Sequence, residues 1–100
     1  MTAKIVVEYV AEDKFRATVV EGPNQSSHTV TLTPEYYQKL TGGKVGVDEL
    51  VRHSFEFLLE REPKESILTE FDLPLIGLYF PEYETEIIKW AARRPAATAG

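Results

Sequence analysis

Residues 4–20 read KIVVEYVAEDKFRATVV, and the alternation in this stretch decides the fold. Ile5, Val7 and Tyr9 alternate with Val6, Glu8 and Val10; after a polar break, Phe15, Ala17 and Val19 alternate with Arg16, Thr18 and Val20. A period of two in β-branched and aromatic residues is the signature of strands. The break Ala11-Glu12-Asp13-Lys14 has the composition of a hairpin turn. Working outward, Glu21-Gly22-Pro23-Asn24-Gln25-Ser26-Ser27 reads as a loop. HTVTL (28–32) then reads as a third strand, with Val30 and Leu32 on one face and Thr29, Thr31 and Thr33 on the other.

Helical spacing begins at Thr33-Pro34-Glu35, where threonine can cap, proline fits the first helical position and the acid suits the positive end of the helix dipole. Tyr36, Tyr37 and Leu40 follow, and Gly42-Gly43 stops this helix after about two turns. A longer helix is expected from about Val47 to Glu62, with Val47, Leu50, Val51, Phe55, Leu58 and Leu59 as its apolar stripe and Phe57 on its polar side. Beyond Pro63 the chain reads as short amphipathic pieces. Ile67, Leu68 and Phe71 share a face, Asp72 can cap a turn holding Leu75, Ile76 and Tyr79, and Pro81 separates this turn from a helix over 82–90. The expected fold class is therefore α+β, a three-stranded antiparallel sheet at the N-terminal end with one long and several short helices on one face. Residues 1–92 should form a single domain, and 93–100 a flexible C-terminal tail.

Composition narrows the function classes. The 100 residues are 43% hydrophobic and 27% charged, ordinary values for a globular chain. The absence of cysteine excludes a disulfide scaffold, a thiol nucleophile and thiolate zinc sites. No apolar run approaches the ~18 residues of a membrane span. MTAKIVVEYV is interrupted by Glu8 and does not read as a signal peptide, so a cytoplasmic protein is expected. The net charge of −5 disfavours nucleic acid as a partner, because affinity for phosphates is drawn from Lys and Arg.

Catalytic patterns are lacking. His28 and His53 belong to no metal-ligand spacing, Ser54 does not face its neighbour His53 on a helix, and no G-x-S-x-G occurs. Glu82, Glu84 and Glu86 read as a solvated helix start. The expectation is a non-enzymatic protein with no cofactor.

Two stretches resemble known families. Residues 28–62, HTVTLTPEYYQKL followed by a glycine turn and GVDELVRHSFEFLLERE, resemble the ribbon-helix-helix pattern. That resemblance implies an intertwined dimer acting as a DNA-binding regulator or antitoxin, with Thr29, Thr31 and Thr33 facing the major groove. The residues alone read more simply as the exposed face of a third sheet strand. Gly43-Lys44-Val45-Gly46 is similar to the GxxG loop of the KH module, which implies contact with nucleic-acid backbone; Asp48 and Glu49 directly after it would repel phosphate, and the residues read more simply as an interhelical turn. From Phe55 to Ile87, FEFLLEREPKESILTEFDLPLIGLYFPEYETEI resembles the tail of a group of small bacterial proteins to which no activity is assigned.

The strongest positive signal is apolar excess in the later half. Phe57, Tyr79, Phe80, Tyr83 and Trp90, with Tyr36 and Tyr37, are large, and several fall off the main stripes. Such residues are enriched at protein interfaces. A three-stranded sheet is also thin, and Val6, Val10 and Val20 occupy its second face. The expected function is binding of a protein partner, including a second copy of the chain, through Phe57, Tyr79, Phe80, Tyr83 and Trp90.

Overall fold

A computed structural model describes residues 3–93. The chain is α+β, built on a four-stranded sheet in the order β1-β2-β3-β4. β1 (Lys4–Ala11), β2 (Lys14–Glu21) and β3 (Asn24–Thr31) form an antiparallel meander. β4 (Glu70–Asp72) adds parallel to β3, so the sheet has one strand more than expected and is mixed. β3 also begins four residues earlier than the sequence suggests. Glu21 pairs with Asn24, so the apparent loop is a two-residue turn, with Gly22 at φ +60° as its first member. The polar run Asn24–Ser27 is strand because the hairpin register places it there, whatever its composition.

The helices lie on one face. α1 (Pro34–Thr41) is capped by Thr33, whose hydroxyl accepts the Tyr36 N–H at 3.2 Å, and it ends at Gly42 in the left-handed region. α2 (Val47–Leu59) starts at Gly46, whose N–H donates to the Glu49 carboxylate at 2.8 Å. After a 3-10 turn at Lys64–Ser66 come β4, the short α3 (Leu75–Tyr79) and α4 (Tyr83–Arg93). Arg93 closes α4; residues 94–100 of the expected tail lie outside the described residues.

The core is assembled from Ile5, Ala17, Val19 and Val30 of the sheet, Leu50, Val51, Phe55 and Leu58 of α2, and Tyr83, Ile87 and Ala91 of α4. Buried polar groups are satisfied within it. The Ser54 hydroxyl donates to the Leu50 carbonyl at 2.8 Å and accepts from the Tyr83 hydroxyl at 2.7 Å. Burial pushes the Tyr83 phenol above its ordinary pKa, so it stays a donor. Among the described residues, the opposite face of the sheet carries no helix. Val6 and Val10 remain 39% and 43% exposed there, beside Lys4, Glu8 and Arg16.

Candidate functional site

The segment after α2 is tied to the sheet at three points. Lys64, nearly buried, reaches the Glu21 carboxylate at 3.1 Å and that of Glu65 at 2.7 Å. The hydrogen bonds that its ammonium donates to these two carboxylates, Glu65 first, raise its pKa above the usual lysine value. His28 points into the core, where its Nδ1 donates to the Leu68 carbonyl at 2.8 Å and Ser26 Oγ lies 2.8 Å from Nε2. β4 then docks through the Thr29 N–H on the Thr69 carbonyl and the Leu73 N–H on the Thr31 carbonyl. Leu73 is fully buried and plugs the joint.

This anchoring leaves α3 standing as a ridge. Ile76 faces the core, while Leu78 and Tyr79 are 77% and 66% exposed. On one side lies a cleft of about 390 Å³, with buried Leu58, Ile67, Phe71 and Ile76 beneath exposed Leu68 and Tyr79. On the other lies a cleft of about 490 Å³ bordered by Leu78, Asp72 and Glu84. The surroundings are acidic. Residues 62–86 carry Glu62, Glu65, Glu70, Asp72, Glu82, Glu84 and Glu86 against one cation, Lys64, which is already paired; Lys14, Arg61 and Lys39 from outside this stretch pair with Glu70, Glu82 and Glu84, and the border stays acidic in balance.

The expected interface residues divide sharply. Phe57 and Tyr83 are buried within the single chain and offer no surface, a correction to the sequence reading. Phe57 lies off the main stripe because α2 is covered on a second side. Phe80 and Tyr83 meet its ring edge-on at 6.0 and 5.2 Å, and the Arg61 guanidinium covers it at 3.5 Å. Phe80 and Trp90 are half-buried, and Trp90 stacks on His53 at 4.1 Å with the rings 5° from parallel. Tyr79 alone of the five is freely exposed. Leu68, which the sequence reading placed on one face with Ile67 and Phe71, and Leu78, which it did not single out, complete the patch. The signal for Leu78 was the uncharged run from Leu73 to Phe80, because a five-residue helix can turn only part of such a run inward.

The remaining candidates hold the fold together. Thr29 and Thr31 are on the open face of β3, and Thr33 caps α1. β3 is hydrogen-bonded on both sides, to β2 and β4, so it has no edge for an intertwined ribbon with a second copy. Glu70 and Asp72 pair beside Thr29 and Thr31 and give that strip negative charge. In Gly43-Lys44-Val45-Gly46, Val45 is buried and its carbonyl accepts the Tyr37 hydroxyl. Glu82 pairs with Arg61 at 3.0 Å, and Glu84 accepts the Tyr36 hydroxyl at 2.7 Å. Among the described residues no cluster of His, Asp and Glu could hold a metal ion, every buried polar side-chain atom has a partner, and no helix is long and apolar enough to cross a membrane.

No family model matches the chain, and neither does any curated protein or solved structure.

Proposed function

We propose that the chain is a non-enzymatic cytoplasmic binding module whose α3 ridge takes an apolar segment of another protein, one that carries Lys or Arg beside its apolar side chains. One observation carries this reading: Leu68, Leu78 and Tyr79 stand exposed around two clefts inside an acidic border. Fully burying a side chain of this size contributes roughly 1.5–3 kcal/mol, and tyrosine is a frequent anchor at interfaces. The border supplies specificity, because a second copy docked ridge to ridge would set carboxylates against carboxylates.

The test is a titration of the isotope-labelled chain with a Leu/Lys amphipathic peptide and with a Leu/Glu peptide of the same apolar spacing. Amide resonances of Leu68, Leu78, Tyr79 and Phe80 should move with the first and not the second, and the double variant Leu78→Ser/Tyr79→Ser should abolish the response. No movement at millimolar peptide, or movement confined to other surfaces, overturns the reading.

A further inference from the structure

The sheet has two edges, the three-residue β4 and the eight-residue β1. The orientation of the β1 backbone follows from the register. Glu21 and Asn24 close a two-residue hairpin and therefore exchange hydrogen bonds, so by alternation Val19, Ala17 and Phe15 face β3. Val20, Thr18 and Arg16 then face β1, opposite Lys4, Val6 and Glu8. Ile5, Val7 and Tyr9 are left with their N–H and C=O groups at the free edge. The Arg52 side chain confirms this assignment at Ile5, whose carbonyl accepts Arg52 Nε at 3.4 Å.

Long edge strands are ordinarily blunted by proline, by brevity or by charge. β1 has no proline, and its two charges, Lys4 and Glu8, lie four residues apart on the open face with Val6 between them. That order is complementary to its own reverse. We infer that β1 pairs antiparallel with β1 of a second copy about a two-fold axis at Val6, joining two sheets into one of eight strands. Val6 then lies against the partner's Val6, Lys4 against the partner's Glu8, and Ile5 exchanges hydrogen bonds with the partner's Val7. Neighbouring registers that keep the edge amides in phase are worse. Centring on Glu8 opposes two glutamates, and centring on Ile5 or Val7 sets Lys4 against a valine. Arg16 Nη1, 3.6 Å from Glu8, extends the row of alternating charge across the seam. This surface is separate from the α3 ridge, and the inference does not depend on the binding reading above.

The experiment is sedimentation of the full chain over a range of concentration and salt. A dimer is expected that weakens as salt rises. Lys4→Glu and Glu8→Lys each convert two attractive cross-strand pairs to repulsive ones and should weaken it about tenfold. An equimolar mixture of these two variants should dimerise again, because each supplies the charge the other lacks. Amide exchange at Val7 should slow as concentration rises. Unchanged melting of the variants as monomers shows that the fold is intact. A wild-type chain that stays monomeric at millimolar concentration, a dimer indifferent to both reversals, or a mixture that fails to reassociate overturns the inference.

Discussion

The α3 ridge and the β1 edge both leave apolar side chains in water, but their charges are arranged in opposite ways. Around the ridge acids outnumber cations, and the nearby cations are already paired, Lys64 with Glu21 and Glu65, Arg61 with Glu82, Lys39 with Glu84 and Lys14 with Glu70. Along β1 a lysine and a glutamate flank a central valine. The first surface repels its own copy and suits something unlike itself; the second matches its own copy in a single register. Exposed apolar area shows only that contact is favourable. The sign pattern beside it tells which contact.

The largest expected effect separates scaffold from surface at the ridge. Phe57→Ala removes the ring on which Phe80, Tyr83 and Arg61 converge, and such truncations cost about 3–5 kcal/mol. Denaturant unfolding should show that loss. Tyr79→Ala, at a side chain 66% exposed, should change stability by less than about 0.5 kcal/mol and still weaken binding of the Leu/Lys peptide. A stable Phe57→Ala variant would mean that the α2–α4 seam is not what holds α3 in place.

A middle-sized effect is expected at His28. Its Nδ1 bond to the Leu68 carbonyl is buried, and leaving that acceptor without a donor costs about 1–3 kcal/mol, to which the space vacated by the ring adds. In His28→Ala, amide exchange should accelerate over 67–73 while Val6, Thr18 and the other β1–β2 amides keep their relative protection. A uniform acceleration would show that ridge and sheet open as one unit.

These two residues also show what the sequence made legible. The alternation in 4–20, the Thr33-Pro34 start and the Gly42 stop each depend on local geometry, and they mark elements where local and tertiary demands agree. β4 was hidden because Glu-Phe-Asp has no period of its own. It is a strand only because Thr29 and Thr31 offer hydrogen bonds across a gap of about forty residues in sequence. Asn24–Ser27 was hidden by its polarity, which the hairpin register overrides. Phe57 was misplaced because a single-stripe reading assumes a helix buried on one side, whereas α2 is packed by the sheet and also by Phe80 and by Tyr83 of α4. At the ridge the aromatic content was legible, but which aromatics faced outward was not, since that depends on how the short pieces stack.

A smaller effect comes from acid. The Tyr36 hydroxyl bond, with Lys39 at 3.3 Å assisting, holds the Glu84 carboxyl below its ordinary value of 4.5 against a weaker opposing pull from burial. A carboxylate with a lowered folded pKa stabilises the fold at pH values above 4.5, and that contribution disappears as pH falls from there through the lower folded value. The melting temperature of the wild type should therefore exceed that of Glu84→Gln at neutral pH, with the gap narrowing below about pH 4.5.

The smallest effect sharpens the comparison most, because its sign distinguishes a guard from a contributor. The Arg52 Nε contact with the Ile5 carbonyl is 3.4 Å long, at the weak end for a hydrogen bond. Arg52 is exposed, so Arg52→Ala should change monomer stability by less than about 0.5 kcal/mol. Ile5 cannot give its carbonyl fully to the partner's Val7 while Arg52 competes for it. Removing the competitor should tighten the dimer by about two- to fivefold, the equivalent of half to one ordinary hydrogen bond. The same substitution should leave peptide binding at the ridge unchanged. A weaker dimer would instead place Arg52 among the contacts of the seam, and the edge would then be joined through side chains of α2 and not through the amides of β1.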